Sequence, residues 1–107
     1  MCHCLMCQKR TGSIFGVQAR FRREQLTITG NSQRYDRVGD SGGRVTFHFC
    51  ATCASTVFWE LDGLPEFYAV AVGAFADPGF GEPTVSIYGV RRHPWAVMPG
   101  LGAEELD

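Results

Sequence analysis

The chain has 107 residues, 45% of them hydrophobic and 20% charged, with a formal net charge of −1. This is the length and balance of one modest globular domain, whose thin stability margin a metal crosslink would widen. The near-neutral charge gives no global pull toward nucleic acid or an anionic membrane, and no apolar run approaches the roughly 18–20 residues that span a bilayer.

The chain opens on Cys2-His3-Cys4-Leu5-Met6-Cys7, with no signal-like stretch before it, so a cytoplasmic location is expected. Residues 14–21 then alternate as a half-buried strand. Leu26-Thr27-Ile28-Thr29 reads as a second short strand, stopped by Gly30-Asn31, and residues 34–38 as a third. Gly39-Asp40-Ser41-Gly42-Gly43 is a tight turn. Arg44-Val45-Thr46-Phe47-His48-Phe49 alternates and runs straight into Cys50. Residues 55–61 follow, then 67–75, apolar on both faces and expected at the centre of a sheet. Residues 84–88 form the last clear strand. Pro78, Pro83, Pro94 and Pro99 break the C-terminal third into loops, and residues 103–106 are given at most a frayed turn. No helix longer than about two turns is predicted. The expected class is all-β, a small antiparallel fold in a single domain over residues 1–107.

In a reducing compartment the five cysteines point to metal, catalysis or burial rather than disulfides. Extended residues i and i+2 point the same way, so Cys2 and Cys4 can face one ion. The next three residues allow a turn that returns Cys7. Three thiolates from one short loop leave the fourth position of a tetrahedral zinc open, as in catalytic sites, whereas structural sites are closed. Cys50-Ala51-Thr52-Cys53, on the turn after a strand, is half of a zinc ribbon or knuckle and needs two more ligands. A redox pair, or one site built from Cys50, Cys53 and two of the first three cysteines, remains open on spacing alone. Alternation points His3 away from Cys2 and Cys4. His48 reads as a core or strand-surface residue, and His93, before Pro94, carries no signal. Lys9-Arg10, Arg20-Arg22-Arg23 and Arg91-Arg92 read first as a solvated face. Asp77, before Pro78, reads as a turn residue.

At these motifs the sequence resembles the glutathione-dependent formaldehyde-activating enzyme family, whose domain is shared with centromere protein V. The matching stretches run from Cys2 through Gly12-Ser13, then Phe49-Cys50-Ala51-Thr52-Cys53-Ala54-Ser55, then Gly73-Ala74-Phe75-Ala76-Asp77-Pro78, Pro83 and Trp95. The resemblance implies a tent-like zinc-binding β fold. Its active-site zinc would be held by Cys2, Cys4 and Cys7, and Cys50 and Cys53 would be half of a closed structural site. In the family an earlier strand carries a C-x-C pair that supplies the other half. Here Met1 stands directly before Cys2, so the chain reads as an N-terminally truncated member lacking that first strand, with dimerisation or borrowed ligands as expected consequences. Ala54 also stands where the family usually has glycine.

The implied activity is zinc-dependent carbon–sulfur lyase chemistry, forming or cleaving the S-hydroxymethyl adduct of formaldehyde and glutathione. Zinc (one to two ions) is the cofactor, and glutathione, a small-molecule thiol, is the co-substrate. Lys9, Arg10 and Arg20 are the residues expected to hold glutathione carboxylates or offset the charge of the thiolates. The expected partners include a homodimer and no membrane. Phe15, Phe21, Tyr35 and Trp59 could stack bases, but the near-neutral charge argues against single-stranded nucleic acid. The rival readings are a zinc-stabilised binding or interaction module without catalysis, and a zinc-dependent reductase or thiol-transfer enzyme.

Overall fold

The computed structural model describes residues 1–39 and 41–107; of the predicted turn at residues 39–43, Asp40 lies outside the described residues. The chain divides into two compact units, Ala19–Ala76 and a second built from Met1–Gln18 with Asp77–Asp107.

The first unit is organised by one sheet. Strands β1 (Gln18–Arg22), β2 (Gln33–Val38), β3 (Arg44–Phe49), β4 (Thr56–Leu61) and β5 (Phe67–Ala71) lie in the order β1-β5-β4-β3-β2. The β2/β3, β3/β4 and β4/β5 pairs are antiparallel. Because side chains alternate across a strand, one register decides both faces. Val45 faces Leu61, Phe47 faces Trp59, and Trp59 faces Ala69. These residues, with Ala71, are the apolar core of the sheet, and the Phe47 and Trp59 rings lie 5.6 Å apart. The other face carries His48, Phe58, Glu60 and Tyr68. His48 stacks flat on Phe58 with centroids 4.3 Å apart, and Phe58 meets Tyr68 edge-on at 5.5 Å. Arg23 lies over the Tyr68 ring at 4.2 Å and pairs with Glu60 at 2.7 Å. Part of the basic run Arg20-Arg22-Arg23 is therefore engaged rather than simply solvated.

Three predicted strand spans differ. The strand read over residues 14–21 begins only at Gln18 and runs to Arg22, while Gly16 makes an isolated bridge to Cys2 instead. Residues 26–29 form no strand, because an isolated alternating run gains nothing without a ladder partner; instead they line the wall of a cavity with Phe58 and Val70. Residues 67–75 stop as a strand at Ala71 and continue as a 3₁₀ turn, Val72–Phe75, closed by Ala76 in the left-handed region at φ 50°. Strand β5 is interior, between β1 and β4, while β4 occupies the centre.

The second unit holds α1 (Leu5–Thr11), β6 (Val85–Ile87) and β7 (Glu104–Leu106). The helix corrects the all-β expectation: the turn that returns Cys7 is the first turn of α1, and this is a small, mainly antiparallel β fold with a genuine helix. Gly12 closes the helix at φ 68°, a left-handed cap that costs glycine nothing sterically, and its N–H donates to the Gln8 carbonyl. Residues 104–106 form a strand rather than a frayed turn, and it pairs parallel with β6. Glu-Glu-Leu has little strand propensity of its own; the ladder imposes the conformation. Among the described residues no helix is long and apolar enough to cross a membrane.

Candidate metal centre

The first cysteine segment behaves as a one-residue strand. Cys2 exchanges both backbone hydrogen bonds with Gly16, at 2.8 and 2.9 Å. On its other side His3 N–H donates to the Ile87 carbonyl at 3.1 Å, and Ile87 N–H to the Met1 carbonyl at 3.0 Å. Extended backbone makes Cys2 and Cys4 share a side, as the spacing predicts. Cys4, still extended at φ −60° and ψ 153°, is the N-cap of α1, and its Sγ accepts the Cys7 N–H at 3.3 Å. One helical turn then returns Cys7. The three Sγ atoms lie within 4.8 Å of one another. A tetrahedral ion with bonds of about 2.3 Å needs sulfurs roughly 3.8 Å apart, so this set fits a soft divalent cation after a small inward adjustment. All three residues are buried, at 4–8% exposure, with Met6, Ile87 and Tyr88 packed against them.

The sulfurs share protons unequally. Cys2 is pulled down to about 6, chiefly because the Cys7 thiol donates a hydrogen bond to it, with help from Cys4 and against the effect of burial. Cys7 is pushed far above the ordinary thiol range because it gives that bond, and because it is buried beside a negative sulfur. The cluster is thus poised to carry one thiolate near neutral pH, and a cation would replace the remaining protons.

His3 points the other way, as alternation predicts. It is 1% exposed, and its Nε2 meets Ser86 Oγ at 3.1 Å. Burial is the main cause holding its pKa below the ordinary value, so His3 is a neutral buried ring outside the donor set. Gln8 was not singled out by the sequence. Its amide donates to the His3 carbonyl at 2.9 Å and to the Arg91 carbonyl at 3.2 Å, while its Oε1 takes a hydrogen bond from His93 Nε2 at 2.9 Å. His93, which carried no signal, therefore helps seat the helix. Only fold-level pairing, 85 residues apart, could have exposed that contact.

Lys9 and Arg10 occupy the last turn of α1, just after Cys7; Lys9 is exposed and Arg10 half-buried. The Arg10 guanidinium lies so close to Gly16 that a Cβ there would sit 2.7 Å from Nη2 and 3.6 Å from the Cys7 Cβ. Arg20 is exposed on β1, in the other unit.

Cys50 and Cys53 follow an irregularity in the β3/β4 register between His48 and Phe49. Their turn is closed by Cys50 N–H to the Ser55 carbonyl at 2.9 Å and Ala54 N–H to the Cys50 carbonyl at 2.8 Å. Thr52 N–H donates to Cys50 Sγ at 3.4 Å. The N–H groups of Cys53 and Thr52, and the Cys53 thiol, hold the Cys50 thiol below its ordinary range. Within Ala19–Ala76 the pair gathers no third His, Cys or carboxylate donor among the described residues. His48 is no ligand: its Nε2 meets Glu60 at 2.8 Å, and its Nδ1 lies 3.4 Å from Ser32 Oγ. Asp77 is a turn residue, accepting the Gly79 N–H at 2.9 Å.

The model of the family described as glutathione-dependent formaldehyde-activating enzyme matches residues 1–91, a span that includes both cysteine motifs. A comparison with curated proteins gave no match.

Proposed function

The chain belongs to the glutathione-dependent formaldehyde-activating enzyme family, and on that basis we propose that it is a zinc-dependent carbon–sulfur lyase-type enzyme acting on glutathione and formaldehyde. The observation that carries this reading is the convergence of Cys2, Cys4 and Cys7 Sγ. Three donors from one loop leave one tetrahedral position for an incoming thiol. Zinc bound there would keep a sulfur donor deprotonated at neutral pH.

The chain's own residues supply the rest. Cys2, Cys4 and Cys7 would hold the ion, with Met6, Ile87 and Tyr88 packed against them. Lys9 and Arg10 put two cations at the end of α1, where they take glutathione carboxylates and offset the thiolate charge. Cys50 and Cys53 form half of a second metal site. In the forward direction the glutathione sulfur forms a bond to the formaldehyde carbon, the C=O π pair moves to oxygen, and the thiol proton ends on that oxygen. Cleavage runs the same steps backward. A reducing, cytoplasmic setting suits the five free thiols.

Adduct formation is chemically easy without a catalyst, so the test is a rate. Exchange between free and hydroxymethylated glutathione is followed by NMR in formaldehyde with the zinc-loaded chain. Exchange faster than buffer, lost in Cys7→Ser, is expected. Exchange at the buffer rate overturns the enzyme reading; glutathione still bound by calorimetry would then identify a metal-stabilised binding module.

A further inference from the structure

Of the three side chains packed against Cys2, Cys4 and Cys7, those of Met6 and Ile87 have no proton to donate, whereas that of Tyr88 carries a phenol O–H. Backbone pairing brings it there. Ile87, the last residue of β6, takes the His3 N–H on its carbonyl at 3.1 Å and gives its own N–H to the Met1 carbonyl at 3.0 Å. Strand β6 therefore ends alongside the cysteine segment, bridged to Cys2 itself. Tyr88 is the next residue, half-buried against the three cysteines.

The Tyr88 backbone is unusual. It stands at φ 57° and ψ 40°, in the left-handed region that glycine enters freely and a residue with a Cβ resists. Its carbonyl accepts the Arg91 N–H at 2.9 Å, which holds the turn. A bulky aromatic kept in such a conformation beside reactive groups is the setting in which strain accompanies function. The phenol hydroxyl is also unengaged: among the described residues it has no hydrogen-bond partner, the cysteine sulfurs included.

We propose that Tyr88 is a catalytic residue of the carbon–sulfur step, its O–H donating a hydrogen bond to the formaldehyde oxygen. The inference rests on the function proposed above and deepens it by naming the group that meets that oxygen. The three cysteines serve the substrate sulfur, so the oxygen needs a separate donor. As the sulfur–carbon bond forms, the C=O π pair moves onto the oxygen, which turns negative before the thiol proton reaches it. A donor already in place for that charge stabilises the transition state more than the bound substrate, and does so more strongly beside apolar side chains than in water. The Tyr88 proton stays on the phenol throughout. In cleavage the same bond supports the oxygen as its proton returns to sulfur.

The test is Tyr88→Phe, which keeps the ring and its packing and removes only the donor. In the NMR exchange assay with the zinc-loaded full chain, kcat should fall about a hundred-fold, with the glutathione KM little changed. Zinc content, glutathione affinity by calorimetry and the circular dichroism spectrum should match the parent. A second readout needs no turnover. Formaldehyde added to the glutathione-saturated parent should shift the tyrosine absorption spectrum, glutathione alone should not, and Tyr88→Phe should abolish the shift. A variant with the parent kcat overturns the proposal. So does one that loses zinc or glutathione affinity together with rate, since Tyr88 is then a packing residue. If the parent itself gives no acceleration over buffer, the lyase reading falls, and the spectrum decides Tyr88 separately: a shift seen in the parent alone upholds the contact with the adduct oxygen, and no shift overturns it.

Discussion

The backbone N–H of Cys7 donates to Cys4 Sγ across 3.3 Å, so the sulfur that caps the helix is also one of the three that converge. Capping and ligation therefore rest on a single atom and can be separated by chemistry. Serine keeps a cap acceptor but is a poor ligand for a soft ion. Without metal, Cys4→Ser should match the parent within about 0.5 kcal/mol, whereas Cys4→Ala should lose about 1 kcal/mol. Both should lose the zinc-induced gain in stability. Urea unfolding of parent and both variants, with and without zinc, measures all six values.

Gly16 is a close-approach position. A methyl group there would meet Arg10 Nη2 at 2.7 Å and the Cys7 Cβ at 3.6 Å. The arginine end is the part that can move, so Gly16→Ala should displace the guanidinium and leave zinc binding intact. A several-fold rise in the glutathione KM, with kcat little changed and Arg10→Ala showing the same pattern, is the expected outcome of steady-state kinetics. Unchanged KM in both variants removes Arg10 from substrate binding.

Glu60 gives the sheet a pH dependence. Burial raises its carboxyl, but hydrogen bonds from His48 and Arg23 outweigh that and bring it below the ordinary value. The folded state thus holds the carboxylate more firmly ionised than the unfolded chain does, where the pKa is about 4.3. The stabilisation is complete above that pH and disappears as pH falls through the lower folded value. Glu60→Gln should cost about 1 kcal/mol at pH 7, a modest figure because the Arg23 pair is partly exposed. The gap between parent and variant should close below about pH 4. Thermal unfolding of both proteins across pH 3 to 7 checks the sign.

Ala54 sits at φ 63°, in the left-handed region that disfavours a side chain. It is also the position where the resemblance read from the sequence has glycine as the usual residue. Ala54→Gly should relieve that conformation and stabilise the chain by roughly 0.5–1 kcal/mol, net of the extra entropy glycine loses on folding. A melting temperature raised by a few degrees is the expected reading. A lower one would mean that the methyl group packs usefully against its neighbours.

Both cysteine motifs, and the strand that leads into the second one, were legible because their signal is local. Two-residue alternation places Cys2 and Cys4 on one side and His3 on the other, and the run from Arg44 to Phe49 is the strand observed. The family followed from the same residues, and the matched span of residues 1–91 agrees. What was not legible depends on partners distant in sequence. Ser86 meets His3 from 83 residues away, and His93 meets Gln8 from 85. The Glu-Glu-Leu run became a strand because β6 offered a ladder, and residues 26–29, with better strand residues, did not because none was offered. Periodicity reports which side of a segment is apolar; only the assembled tertiary structure decides what that side, and each backbone hydrogen bond beside it, will meet.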